Sequence, residues 1–469
     1  MCAFGSSVVW TWLLIVATHE AMSYAFTQKL VRRSWRSMAT SVSISDSFDG
    51  GNILFQGQKE STVMLEIKSD PFTKLENQRH SQYFCFRSLC SRDDDDDDEL
   101  EEEEEITYVI TNAGSSSFPK AWLGFTVFSA PTLNDPFAWE RVQSTIYDEK
   151  SGRLTWKFSR SGFFAYFPPY SYNRHLDLVA KCGNHVISLG RSLEGRDIDC
   201  IRIGKGEKIC WIIHRQHPGE SMAEYFAEGL LERLLGINGS RDGLATTLLA
   251  QYTFYIVPNM CPDGSVHGYL RTNAGGQNLN REWAPSGTYD APTLQRSPEV
   301  YHVWNKMTET GVDAFLDVHG DEELPFNFLA GSEGVAGVWG PRLRALHGAF
   351  VASYARANMD MQAVYGYAPP SDSIHDDDNN DAAVAMERIA SNQIAKRFDC
   401  FSATLEMPFK DCATHPDPSR GWSPARAKQL GASALDALAY IYPYLRDEDE
   451  FWRRLPKQDE YVCPTPDYT

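Results

Sequence analysis

Near residue 170 the hydrophobic period of this chain changes, and that change limits what it can fold into. From Ile44 to about Pro169 apolar and polar residues alternate in short runs: Thr62 to Lys68 (TVMLEIK), Gln82 to Arg87 (QYFCFR), Ile106 to Thr111 (ITYVIT) and Thr155 to Phe158 (TWKF). Period-two alternation rich in aromatic and β-branched residues belongs to half-buried strands. No amphipathic helix interrupts it, so residues 43–170 are expected to form an antiparallel β-sandwich. From Leu176 onward the runs are short and wholly apolar: Lys208 to His214 (KICWIIH), Tyr252 to Val257 (YTFYIV), Asp313 to Val318 (DAFLDV) and Cys400 to Leu405 (CFSATL). They suit strands buried on both faces. Helical spacing over Ser221 to Leu235, a Ser-Pro-Glu helix start at Ser297 and a last helix over Ala427 to Leu445 predict an α/β domain with a mixed sheet over 171–446.

The 469 residues include 63 acidic against 44 basic side chains, a net charge of −19. Twelve of the acids lie in one tract (Asp93 to Asp98, Glu99, Glu101 to Glu105), and without them the rest carries only −7. So many like charges cannot enter a core, so 92–105 reads as a solvated loop between two strands. The acidic balance argues against a nucleic-acid binder, which needs a basic face. Ten cysteines contain no C-x-x-C pair, and in a chain of this length they read as buried free thiols.

Val8 to Val16 is a nine-residue apolar run, too short to span a bilayer as a helix. It resembles the core of a secretory signal peptide ending near Ser23-Tyr24-Ala25. A basic, hydroxyl-rich stretch without acids follows (Phe26 to Ser43), and the two together resemble the bipartite plastid presequence of algae with secondary plastids. The alternative is a leader with an internal start at Met38 and a cytosolic product. Either way residues 1–42 are set aside from the fold. No membrane span is expected in the mature chain, and 447–469, rich in Asp, Glu and Pro, reads as a C-terminal surface extension.

Polar residues that packing does not explain stand just beyond the strands of the second domain. His214-Arg215-Gln216-His217-Pro218-Gly219-Glu220 follows the first strand, Pro258 to Gly264 the second and His319-Gly320-Asp321-Glu322 the third, and Glu406 ends the fourth run. Ligands bind beyond the carboxyl ends of strands in open α/β sheets. His217 and Glu220, three apart in a Pro-Gly turn, can reach one ion, and His319 can supply a third ligand. Two His and one Glu with an open fourth position is the arrangement of catalytic zinc.

These residues resemble those of zinc carboxypeptidases of the carboxypeptidase A type, in the form of the cytosolic carboxypeptidase subfamily. His217-Pro218-Gly219-Glu220 matches the first ligand pair, His319 the third ligand, and Asn259 to Gly264 the family's Asn-Pro-Asp-Gly segment with Met260-Cys261 inserted. The resemblance makes Arg271 the arginine that polarises the scissile carbonyl, and Asn280 and Arg281 the clamp on the substrate's terminal carboxylate. It makes Glu406 the catalytic glutamate, and Phe164 to Ser171 the aromatic-proline segment where sandwich meets peptidase. It implies one zinc ion, whose bound water has a pKa lowered towards ~7. Glu406 would take that water's proton and hand it to the leaving amine. Arg271 would contribute ~3 kcal/mol as an oxyanion donor, and Arg281 offers a planar fork for a carboxylate.

The implied partners are peptide or protein C-termini, including the acidic ends on which the subfamily acts. An acidic side chain needs a cation. Arg388, Lys396 and Arg397 are the candidates, although Lys396 and Arg397 on a predicted helix read as surface charges. The family's mobile tyrosine has no counterpart between His375 and Glu406; Tyr365 and Tyr367 lie further upstream. A zinc amidase or deacylase acting on a small N-acyl amino acid is an alternative, as is a non-catalytic carboxylate-binding module.

Overall fold

The structure, a computed structural model, describes residues 41–72, 80–91, 105–237, 239, 241–285, 291–333, 335, 337–367, 386–447 and 449–453. The alternating half of the chain forms β1 (Ser41–Ser45), β2 (Leu54–Lys59), β3 (Thr62–Glu66), β4 (Cys85–Ser91), β5 (Ile106–Ile110), β6 (Phe128–Ala130), β7 (Glu140–Arg141), β8 (Ile146–Asp148), β9 (Arg153–Phe158) and β10 (Gly162–Ala165). They make two five-stranded sheets, ordered β1-β4-β10-β6-β7 and β2-β3-β5-β9-β8. All pairs are antiparallel except β3 with β5. The facing surfaces meet through aromatics: Tyr108 of β5 stacks on Trp156 of β9 at 5.3 Å and lies 4.9 Å from Phe164 of β10 in the other sheet.

One boundary shifts. Ser41 and Val42, set aside with the leader, are strand residues paired with Ser91 and Cys90 of β4; the rest of the leader lies outside the described residues. The acidic tract does too, except Glu105, whose carboxylate pairs with Lys157 at 2.8 Å. The strands flanking the tract, β4 and β5, belong to different sheets, so it connects the layers.

The second half contains α1 (Tyr172–Cys182), β11 (Val186–Arg191), β12 (Asp197–Gly204), β13 (Lys208–His214), α2 (Met222–Leu235), α3 (Gly243–Gln251), β14 (Tyr252–Val257), α4 (Pro262–His267), α5 (Pro298–Thr310), β15 (Ala314–Val318), β16 (Phe328–Ala330), α6 (Pro341–Ala357), α7 (Ala390–Phe398), β17 (Phe401–Glu406) and α8 (Pro424–Ile441). Its sheet is mixed, in the order β11-β12-β14-β13-β15-β17-β16, with β14, β13, β15 and β17 parallel. Alternate residues of these strands feed two cores. Ile212, Phe254 and Leu316 pack with α2, α6 and α8, whereas Trp211, Tyr255 and Phe315 pack with α5 and α7. Burial on both faces is why the strands read as unbroken apolar runs.

From β13 the chain crosses to β14 on one side and then to β15 on the other. The crevice between β13 and β15 is therefore a topological switch point, the preferred place for a ligand.

The two halves share a seam. Phe409, three residues past β17, stacks on Tyr166 of the sandwich at 4.5 Å. The Pro168 and Pro169 carbonyls accept hydrogen bonds from Ser221 and Tyr225 at 2.8 Å. The start of the expected tail is docked: Phe451 is fully buried, and just before the tail Arg446 donates to the Val312 and Asp399 carbonyls at 2.7 Å. Among the described residues the cysteines are free, all but Cys90 being buried, and no helix is long and apolar enough to cross a membrane.

Candidate active site

The loop after β13 is shaped from below. Arg215 adopts a left-handed backbone (φ 56°), which turns its side chain back under the following residues. Its Nε donates to the Pro218 carbonyl at 2.9 Å, and its Nη1 to the Tyr170 carbonyl at 2.9 Å and to Glu224 at 2.7 Å. The Gly219 amide donates to the Leu270 carbonyl at 3.0 Å. Held this way, the turn brings His217 Nδ1 to 2.7 Å from Glu220 Oε1. His319 follows β15 and is registered by its own amide, which donates to Leu405 of β17 at 2.8 Å. Its Nδ1 lies 2.9 Å from Glu220 Oε2 and 3.2 Å from His217 Nδ1.

Three buried donor atoms thus converge from both sides of the switch point. Ligands bound ~2.0–2.1 Å from a tetrahedral zinc stand about 3.3 Å apart, so the spacing fits one. Outer partners fix the rings. His217 Nε2 lies 3.1 Å from Asn278 Oδ1, and His319 Nε2 lies 3.0 Å from Asp317 Oδ1. Asp317 accepts from Gln216 at 2.7 Å, and Gln216 from the Trp283 indole at 2.8 Å. Carboxylate or carbonyl partners of this kind raise ligand basicity and set the tautomer. Burial, with Arg271 nearby, pushes the His217 imidazole down to about 3, which keeps it in the neutral form that a metal requires.

Glu406, the last residue of β17, faces the same cavity. Burial pushes its carboxyl well above the ordinary range; Glu220 and Asp321 add to the rise, while His319 opposes it. A cation held by the triad acts in the opposite sense and favours the carboxylate. Tyr367 donates its hydroxyl to Glu406 at 3.1 Å and to Asp321 at 2.9 Å. Of the two upstream tyrosines, it is the one beside the glutamate, a contact that nothing in the sequence spacing indicates.

All seven residues singled out in the sequence (His217, Glu220, Arg271, Asn280, Arg281, His319 and Glu406) line one cavity of about 920 Å³. Arg271 lies against the wall formed by Phe118 of the sandwich, its guanidinium carbon 6.0 Å from the ring centre. The Asn280 side-chain oxygen accepts from the Ala390 amide at 2.9 Å, and its amide nitrogen is 3.4 Å from His319 Nε2. Asp321, Glu322 and Tyr367, which sequence reasoning did not assign to the site, complete part of the wall.

The three cations considered for an acidic side chain are not among the residues that line the cavity. Lys396 pairs with Glu387 at 2.6 Å on the surface, and Arg397 lies 4.3 Å over Trp304. Arg388 donates to the Arg281 carbonyl at 3.0 Å. Two of the three lie on α7, whose inward face is taken up by Ser391, Asn392 and Ile394.

A buried His-Glu-His triad at a switch point, with an open cavity and a further carboxylate beside it, defines a metallohydrolase. The zinc carboxypeptidase profile matches residues 173–411, and the cytosolic carboxypeptidase N-terminal domain profile matches 44–167. The chain belongs to the zinc carboxypeptidase family and is a peptidase. It is 40% identical over 413 residues to an uncharacterised protein of Zymomonas mobilis, covering 86% of this chain and 97% of the other. Cytosolic carboxypeptidase 6 of Mus musculus is 27% identical over 183 residues, 36% of this chain and 33% of the relative. A metallo-carboxypeptidase of Pseudomonas aeruginosa, solved with (2-guanidinoethylmercapto)succinic acid, superposes with a TM-score of 0.74 at 36% identity, covering 86% of this chain and all of the other. One from Burkholderia cenocepacia gives 0.75 at 35% identity, covering 86% of this chain and 99% of the other.

Proposed function

We propose that this peptidase removes single residues from the C-termini of peptides or proteins, using one zinc ion held by His217, Glu220 and His319. Zinc in such a site polarises a carbonyl and lowers the pKa of bound water towards ~7. Glu406 accepts the water's proton and returns it to the leaving amine. Arg271 meets the oxygen on which negative charge develops. Asn280 and Arg281 take the terminal carboxylate, a group that only a chain end presents, and so make the enzyme an exopeptidase.

The observation that carries this reading is the convergence in one cavity of the triad, a buried carboxylate and two arginines. Arg271 and Arg281 are the arginines that line the cavity, and Asp321, Glu322 and Glu323 line it with them. A carboxylate therefore has a place at the chain end, whereas the cations expected for an acidic side chain are absent among the described lining residues.

The test is bound zinc, followed by turnover of peptides ending in Glu, Lys or Phe by the wild type and by Glu406→Gln. We expect close to one zinc per chain in both proteins, and a loss of ~10³-fold or more in kcat for the variant. A wild type without zinc, or a variant that cleaves as fast as the wild type, would refute the mechanism. Faster cleavage of the Glu peptide than of the other two would show that an acidic side chain is the preferred one.

A further inference from the structure

Arg271 sits on a loop without regular structure, between α4 and Leu279, yet its guanidinium must meet a developing charge to within a fraction of an ångström. The peptidase half holds this loop at the Gly219–Leu270 contact already described. Its opposite side is held by the sandwich. Asp70, only 3% exposed, points a carboxylate into the loop and accepts four hydrogen bonds from three consecutive residues. Oδ1 takes the Leu270 amide at 2.7 Å; Oδ2 takes the amides of Arg271 at 2.9 Å and Thr272 at 3.0 Å, and the Thr272 hydroxyl at 3.0 Å.

Asp70 is itself tied to the sandwich through its own amide, which donates to the His80 carbonyl at 2.8 Å. Two further bonds cross the seam beside it: Gly50 amide to Val266 carbonyl at 2.9 Å, and Asn52 side chain to Gly268 carbonyl at 2.8 Å. Successive backbone amides turned towards one anion form a concave nest, and charge-assisted bonds of this type are roughly twice as strong as neutral ones. Here the anion belongs to the protein, and the middle amide of the three is that of Arg271.

We propose that Asp70 is a positioning residue: the sandwich domain uses its carboxylate to set the backbone from which Arg271 reaches the substrate carbonyl. The proposal rests on the carbonyl role given to Arg271 above. It makes the sandwich a working part of the site, through an aspartate 201 residues away in sequence from the arginine it aims.

The test is a double-mutant cycle on the full chain, with Asp70→Asn, Arg271→Ala and their combination, reading kcat and KM separately and measuring bound zinc. Asp70→Asn keeps the shape but turns one accepting oxygen into an NH2 group, which cannot accept from the amide that faces it. It is expected to lower kcat ~10- to 100-fold with full zinc content and KM changed less than ~3-fold. In the Arg271→Ala background the same substitution should cost less than ~2-fold, because the group it aims is gone. Thr272→Val, which removes one of the four donors and keeps the backbone, should lower kcat ~2- to 5-fold and show the same non-additivity; it covers the case in which Asp70→Asn does not fold.

A full multiplicative loss on top of Arg271→Ala, or lost zinc in Thr272→Val, would show that Asp70 only supports the fold and would overturn the proposal while leaving Arg271 its role. An Arg271→Ala enzyme with wild-type kcat would instead refute the carbonyl role, and the positioning role with it.

Discussion

At residue 219 there is no room for a methyl group. A Cβ placed there would stand 2.9 Å from the Leu270 carbonyl oxygen and 3.2 Å from its Cα, both of them backbone atoms on the loop that Asp70 holds. Gly219→Ala must therefore push the turn between the two first ligands away from its support. We expect zinc affinity to fall ~10-fold or more, by competition with a chelator, since the ligands keep their chemistry but lose their spacing. Asp317→Asn acts on the same ion from behind His319 and should weaken zinc binding ~10- to 100-fold.

A different residue sets a pH dependence. Glu299 of α5 is buried, with Oε1 lacking a partner and Oε2 3.2 Å from the Asn273 amide. Burial pushes its carboxyl up to about 8, and Asp263 and Glu282 add to the rise. The folded pKa is raised above the ordinary 4.5, so its contribution is fully present below that value and is lost as pH rises to about 8. Glu299→Gln should flatten this decline and gain ~1 kcal/mol or more over the wild type at pH 8.5 relative to pH 5, read from chemical unfolding at both values.

Among elements, the contact between α2 and α8 governs the site most directly, because α2 begins two residues after Glu220. The helices touch through glycine: a Cβ on Gly229 of α2 would fall 2.0 Å from the Lys428 carbonyl, and one on Gly431 of α8 would fall 2.1 Å from the Phe226 carbonyl. Gly431→Ala forces the helices apart and should destabilise the protein by about 1–3 kcal/mol, with zinc affinity falling in parallel as α2 carries Glu220 with it. The same scale shows what a single sequence reveals. β13 and β14 match the runs Lys208 to His214 and Tyr252 to Val257 residue for residue, because strands covered on both faces leave no polar interruption. β11, at the sheet edge, and β12 beside it bear polar residues such as Ser188, Asp197 and Arg202 that break any run, and the sequence reading did not find them.

For the molecule as a whole, the legible part of the site was the part carried in short segments. The triad and Glu406 sit beside strand ends that announce themselves, whereas Arg271, Asn280 and Arg281 lie on the stretch after α4 and were assigned through the family resemblance. Asp70 and Tyr367 act through partners 201 and 39 residues away, and no local pattern marks a residue whose role exists only after distant parts of the chain have met. The docked start of the tail escaped for the same reason: Phe451 is an ordinary residue until Tyr444 lies against it. The seam itself can be tested at Phe409, which stacks on Tyr166 just beyond the strand that ends in Glu406. Phe409→Ala removes a fully buried ring and should cost about 3–5 kcal/mol in unfolding experiments, with kcat falling as well because both walls of the cavity loosen.

β17 is made after every other described strand of its sheet, yet it lies inside that sheet, between β15 and β16. On the ribosome the sandwich emerges first. The three metal ligands emerge next, and only then the strand that brings Glu406. A nascent chain that has reached α6 holds the ion's ligands without the base, and its sheet still has a gap where that strand must insert. The last strand of the sheet therefore completes the cavity wall on which Glu406 stands, and a chain that has not yet made it carries the triad without that carboxylate.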